Sequence, residues 1–308
     1  MPDLSEQIVD TMNQIHGVHP GSRAVHAKGL CCSGTFRATA DAASLSIAPH
    51  LQGSEIPVTV RFSNGSGKPT RADGARDERG MAVKFHLPDS SSTDIVSLTL
   101  PVFFVRTPED FMGFLEVQKP DPETGKPDLD RVKAFVEAHP ETQMAFGFLM
   151  FTMAPASYAE CTFNAIHAFR WTGPDGAARF VRYRWIPSTQ GEGLSDEQTR
   201  ALGKDYLRAD LEERLAEGPI TFELHIQIAG EGDDPEDPTV PWPDEREVVQ
   251  AGTLTLTQFN GTGCDGMIFD PTRVVEGIEC SDDKILHARS GAYGVSYTRR
   301  TESVPGPR

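Results

Sequence analysis

Ser281-Asp-Asp-Lys-Ile-Leu-His-Ala-Arg-Ser-Gly-Ala-Tyr-Gly-Val-Ser-Tyr-Thr-Arg-Arg300 is the stretch around which the chain is organised. Ser281, Asp282 and Asp283 read as a helix cap with acidic first-turn residues, and Lys284 opens a helical pattern. On a helix, Arg289, Tyr293, Ser296 and Arg300 fall at i, i+4, i+7 and i+11, forming one continuous stripe. An amphipathic helix normally keeps such a stripe apolar. Here it carries two guanidiniums, a phenol and a hydroxyl, and Ala288, Gly291, Ala292 and Gly294 crowd the same helix. That combination predicts a large anionic body against the helix. A free phenol ionises near pH 10, so a tyrosinate ligand needs positive charge beside it. Arg289, one turn before Tyr293, supplies that charge and can hold the phenolate ionised against a metal. The same spacing also fits a plain cation–π or hydrogen-bonded surface pair. The stripe therefore needs partners elsewhere in the chain.

Length and charge narrow the field. With 308 residues, 38% apolar and 24% charged, the composition is that of a soluble globular protein, and nothing in it divides the chain. A net charge of −16 argues against nucleic acid or an anionic membrane as partner, since phosphate binding rests on a basic surface. The apolar run from Ala145 to Ala154 is too short to span a bilayer as a helix. The opening residues lack the basic and apolar regions of a secretory leader, which predicts a cytoplasmic protein. Five cysteines, Cys31, Cys32, Cys161, Cys264 and Cys280, have no metal-site spacing and are expected to be reduced thiols.

Taken in order, residues 1–19 predict an N-terminal arm with a short helix from Leu4 to Ile15. Strand patterns follow at Gly34–Thr39, Ile56–Ser63, Met81–His86 and Ile95–Val105. Asn64-Gly-Ser-Gly-Lys-Pro69 is not a phosphate loop: Phe62 stands where the first glycine is required, and Pro69 follows Lys68 in place of Ser or Thr. Thr107-Pro108-Glu109-Asp110 starts a helix, and residues 118–160 are helical with proline breaks. Strands return at Thr162–Trp171, Ala178–Trp185, Ile220–Ala229 and Gly252–Thr257, with one charged helix from Leu194 to Ala216. Six to eight strands joined by turns and a helical insertion favour an antiparallel barrel over a parallel sheet, an α+β chain forming a single domain over 1–308.

Outside the helix the informative residues are His26 with Arg23, Arg61 with Ser63, and Phe103, Phe104 and Phe111. Each has an ordinary reading: a surface histidine, surface charges, core aromatics. In order, however, the chain carries Arg23-Ala-Val-His-Ala-Lys-Gly29, Val58-Thr-Val-Arg-Phe-Ser63, Arg76-Asp-Glu-Arg-Gly-Met-Ala-Val-Lys-Phe85, and Pro101-Val-Phe-Phe-Val-Arg106 with Phe111. Asp237-Pro-Thr-Val-Pro-Trp-Pro243, Phe269-Asp-Pro271 through Gly277-Ile-Glu279, and Arg289-x-x-x-Tyr293 complete the set. These seven ordered blocks resemble the haem catalase superfamily over about residues 16–300, and most closely its small catalase-related peroxidases.

The resemblance implies haem b in an eight-stranded antiparallel barrel with helical insertions and a C-terminal ligating helix (281–300), followed by a flexible tail at 301–308. It implies Tyr293 as the iron ligand, Arg289 as partner of its phenolate, and His26 as the distal acid–base with Ser63 hydrogen-bonded to it. Arg23, Arg61 and Arg300 would hold the propionates, Ser296 would share the helix stripe, and Val25, Phe103, Phe104 and Phe111 would wall the pocket. Full-size catalases carry asparagine three residues before the proline of the Pro-x-Phe-Phe block. Here that position is Leu98, with Thr99 the expected partial substitute. The loss of that amide predicts a peroxidase using hydrogen peroxide or organic hydroperoxides with a small organic donor, and weak catalase activity. The alternatives are a fatty-acid hydroperoxide isomerase or dehydratase, a haem barrel without turnover, and a metal-free lipocalin-like barrel. The short arm predicts a monomer or dimer.

Overall fold

The computed structural model describes residues 3–302. Its elements, in order, are α1 (Leu4–His16), β1 (Gly29–Ala38), α2 (Ala40–Leu45), β2 (Glu55–Asn64), β3 (Arg79–His86), β4 (Ser92–Leu98), α3 (Pro108–Val117), α4 (Leu129–Ala138) and α5 (Gln143–Phe151). There follow β5 (Ala154–Pro155), β6 (Phe163–Thr172), β7 (Ala178–Pro187), β8 (Gly193–Leu194), α6 (Asp196–Leu202), α7 (Tyr206–Glu217), β9 (Ile220–Ile228), β10 (Val248–Gly261), β11 (Ile278–Cys280) and α8 (Lys284–Glu302).

Eight antiparallel strands close on themselves in the order β6-β4-β3-β2-β1-β10-β9-β7, with β7 returning to β6 and β11 adding to the far side of β6. Closure leaves no long edge unpaired. The lumen is filled, not hollow. Phe36, Phe62, Phe85, Phe163, Trp185 and Phe222 are all fully buried there, several in edge-to-face contact. A second core, built from α1, α3, α5 and the segment after β4, packs outside the barrel.

Caps follow the sequence where the chemistry is local. Asp3 and Glu6 form a capping box on α1, and the Thr107 hydroxyl accepts the Asp110 N–H at the start of α3. Tertiary context changes other expectations. β1 begins five residues before Gly34, and β4 stops at Leu98, well before Val105: its only register pair with β6 is Leu98 with Asn164, and Pro101 has no N–H for a ladder. The single helix expected over 194–216 is two, broken at Gly203, whose φ of 85° no helix accommodates. Thr301 and Glu302 close α8 instead of starting the tail, and the rest of the expected tail lies outside the described residues.

The thiol expectation is also corrected. Cys31 and Cys264 form a disulfide, leaving Cys32, Cys161 and Cys280 free. The partners are 233 residues apart, and no local pattern announces the pairing.

Candidate active site

Strand register lays the floor of a cavity. Gly29, Ser63, Gly80 and Leu98 stand in one row across β1–β4, and Cys31, Arg61, Ala82 and Val96 stand in the next. Their chain neighbours Leu30, Phe62, Met81, Cys32, Val60 and Val83 belong to the lumen core, so these rows face outward. The cavity thus lies against the outer wall of the barrel and not in its lumen. Two glycines make the floor possible. A Cβ at Gly29 would stand 2.3 Å from the Arg61 guanidinium carbon, and one at Gly80 would meet Ser63 Oγ at 2.7 Å and His26 Nδ1 at 3.1 Å.

The opposite wall is α8. Between them lies a space of about 790 Å³, counted to its open mouth and lined by Arg23, Val25, His26, Arg61, Ser63, Leu98, Arg289, Tyr293, Ser296 and Arg300. A second lobe of about 1360 Å³ shares Val25, His26, Leu98, Arg289 and Tyr293 with the first. It continues along Phe103, Phe104, Phe111 and Phe114. The two lobes are one apolar slot with polar groups at chosen points.

On the barrel side, His26 has φ 53°, a left-handed backbone that costs a non-glycine residue on the order of 1 kcal/mol. Its N–H donates to the Gly65 carbonyl at 2.9 Å, and its Nδ1 is hydrogen-bonded to Ser63 Oγ at 3.1 Å. Burial lowers its pKa to about 4, against the pull of Asp77 and with help from Arg61, Arg289 and Arg23. The imidazole is neutral at pH 7 and able to accept a proton.

On the helix side, Arg289 Nη2 donates to the Tyr293 hydroxyl oxygen at 2.6 Å, and Arg289 Nη1 lies 2.9 Å from His167 Nε2. His167 Nδ1 in turn meets Asp283 Oδ2 at 2.6 Å. The carboxylate fixes the tautomer: Nδ1 carries the hydrogen, so Nε2 accepts from Arg289. Burial lowers the His167 pKa against the raising contribution of Asp283. The other Asp283 oxygen accepts the Ile285 and Leu286 N–H groups, so Asp283, not Ser281, caps α8. His167 sits at the register break between Ala165 and Ala168, where the strand surplus re-aims side chains. The sequence reading missed it, because in an alternating strand it looks like one more buried residue.

At one edge of the slot Arg23, Arg61 and Arg300 come together. Arg23 Nη1 and Arg61 Nε both reach Asp265 Oδ1, at 3.1 and 3.2 Å. Arg23 Nη2 and Arg300 Nη2 donate to the Met267 carbonyl at 2.9 and 3.1 Å. Burial, with repulsion from Arg61 and Arg300, lowers the Arg23 pKa to about 9. Ser296 Oγ accepts the Ala24 N–H at 3.3 Å and ties α8 to this edge. Asp265 was not legible, since one acidic residue in a turn carries no signal.

Thr99 is the exception among the expected site residues. Its hydroxyl accepts the Arg79 N–H at 3.0 Å and lines a separate cleft with Pro101 and Phe151. Leu98 faces the slot, so strand alternation turns Thr99 away, and it cannot replace the missing amide.

Fold, slot and residue set have known counterparts. The Catalase family model matches residues 5–304. The chain is 42% identical to a catalase-related peroxidase of Mycolicibacterium paratuberculosis, covering 96% of this chain and 94% of that one. It is 36% identical to a catalase-related peroxidase of Synechococcus elongatus, covering 97% and 89%. A solved bacterial catalase superposes with a TM-score of 0.83 at 26% identity over 92% of this chain. A fungal catalase does so with 0.82 at 28% over 95%. The chain spans only 58% and 62% of those two structures. The chain belongs to the catalase family. Its full-length resemblance is to the short peroxidase branch.

Proposed function

We propose that this chain is a haem peroxidase that reduces hydrogen peroxide or an organic hydroperoxide using a small organic donor, with disproportionation of hydrogen peroxide secondary. The residues present fit haem b. The slot is apolar along its faces, a phenol braced by a guanidinium stands on one wall, a neutral imidazole stands on the other, and three arginines gather at one edge. A disc with two carboxylates requires that distribution. In this reading Tyr293 ligates the iron, with Arg289 favouring its ionised form, and Arg23, Arg61 and Arg300 bind the propionates. Bound haem would supply the two electrons that break the peroxide O–O bond, and the organic donor would give two electrons back to it.

The protein's part is proton movement and exclusion. His26 takes the proton from one peroxide oxygen and returns it to the other, so that water or an alcohol leaves. Ser63, on Nδ1, holds the ring. Val25, Phe103, Phe104 and Phe111 keep the approach dry and apolar. The observation that carries the peroxidase reading is Leu98 beside His26: with no amide there, a second peroxide has nothing to orient it. The same apolar wall favours a fatty-acid hydroperoxide as a second substrate class, and the isomerase reading with it. Product analysis separates the two. The peroxidase reading expects an alcohol and stoichiometric donor oxidation from a lipid hydroperoxide. An epoxide or ketol without donor consumption overturns it.

A further inference from the structure

The turn that carries Asp265 is fastened to the slot floor beside the arginines. Cys31 is the register partner of Arg61 on the neighbouring strand, so the two lie side by side on the outward face. The β1–β10 ladder shifts register between Cys31 and Cys32, and the chain leaves β10 at Gly261 opposite Cys31. Cys264 then returns to bond Cys31, and the next residue, Asp265, reaches both Arg23 and Arg61. The Met267 carbonyl receives Arg23 and Arg300. The four residues from Cys264 to Met267 thus touch all three guanidiniums and are covalently anchored next to one of them.

We propose that Asp265 is a resident counter-ion that preorganises the propionate seat, and that the Cys31–Cys264 disulfide holds it in place. Without Asp265 the buried Arg61, its side chain 4% exposed, faces Arg23 and Arg300 with no neighbouring anion on this turn, and the cluster splays. With it, the forks of Arg23 and Arg61 are aimed before the cofactor arrives, so less freedom is lost on binding. Asp265 is a positioning residue in this account and does not touch the reacting atoms. The inference rests on the haem reading above.

The experiment is haem transfer from the loaded protein to excess apomyoglobin, followed by absorbance. Asp265→Asn is expected to speed haem loss about tenfold, the scale of one charge-assisted hydrogen bond. Cys264→Ser and Cys31→Ser should act in the same direction and add little on the Asp265→Asn background. Asp265→Glu should restore retention. Haem dimethyl ester, which lacks the carboxylates, should be lost at the same rate from wild type and Asp265→Asn. Alkylation of the denatured, unreduced protein should find three free thiols. Slower haem loss from Asp265→Asn makes Asp265 a competitor of the propionates and overturns the proposal, as does an equal change with the ester. Five free thiols overturn the disulfide part. Wild-type protein that takes up haem while Asp265→Asn is indistinguishable from it sinks this inference alone; wild-type protein that takes up none sinks the haem reading as well.

Discussion

Arg289 holds the Tyr293 hydroxyl at 2.6 Å with one nitrogen, and its other terminal nitrogen is fixed by a buried histidine. The guanidinium therefore has no freedom to rotate away from the phenol. Tyr293→Phe removes the oxygen and leaves that cation unopposed. It should cost haem retention first, lowering haem content of purified protein at least about tenfold. Arg289→Ala, which removes the partner of the proposed ligand Tyr293, should lower haem affinity about 10–100-fold, the range for partners of metal ligands. The haem-to-protein absorbance ratio measures both.

His26→Ala should leave haem content intact and slow the reaction with peroxide by about 10²–10⁴-fold, the usual share of a general acid–base. Stopped-flow absorbance with hydrogen peroxide measures it. In wild type the working form is the neutral ring, and its pKa is lowered to about 4. The rate should stay level from pH 7 to about 5 and decline as pH falls through about 4. A decline centred at 6.5 would show that the ring is solvated.

Leu98→Asn restores an amide to the slot beside His26. Disproportionation, read as oxygen release, should rise about tenfold relative to donor oxidation. The side chain is 7% exposed, so the polar group should also cost about 1–3 kcal/mol of stability, visible as a lower Tm.

His50 supplies a pH test outside the slot. Its ring is 2% exposed against Phe85, Nδ1 has no partner among the described residues, and burial lowers its pKa to about 3. Unfolding raises that pKa toward 6.5, so the unfolded chain binds the extra proton between about pH 3 and 6.5. Stability from this group is whole above 6.5 and is lost as pH falls, on the order of 2 kcal/mol by pH 5. Urea titrations at pH 7 and pH 5 should show a smaller loss in His50→Gln than in wild type.

Much of the barrel was legible because β7 and β9 alternate between buried and less buried residues, while β2, β3 and β6, covered on both faces over much of their length, read as apolar strand runs. The polar stripe on α8 was legible for a similar reason: Arg289, Tyr293, Ser296 and Arg300 share one helix face and one cavity. What stayed hidden depends on non-local geometry. His167 gains its position from a register break, Asp265 from a turn fixed by a disulfide 233 residues in span, and Thr99 loses its expected place to the parity of a single strand. Local periodicity encodes which face a residue occupies; it does not encode what the rest of the chain brings to that face.

Every barrel strand precedes α8 in the chain, and of the buried residues of the lumen core only Leu286 comes from that helix. Floor, His26 and the Arg23–Arg61–Asp265 part of the arginine edge can therefore form before α8 docks and brings Arg300 and, in the haem reading, the ligating Tyr293, with α1 waiting for it through Asp10 and Arg299 at 2.6 Å. Cofactor loading then becomes a late event in biogenesis, a lid settling over a finished tray, and shortage of haem should leave a folded empty precursor instead of an aggregate.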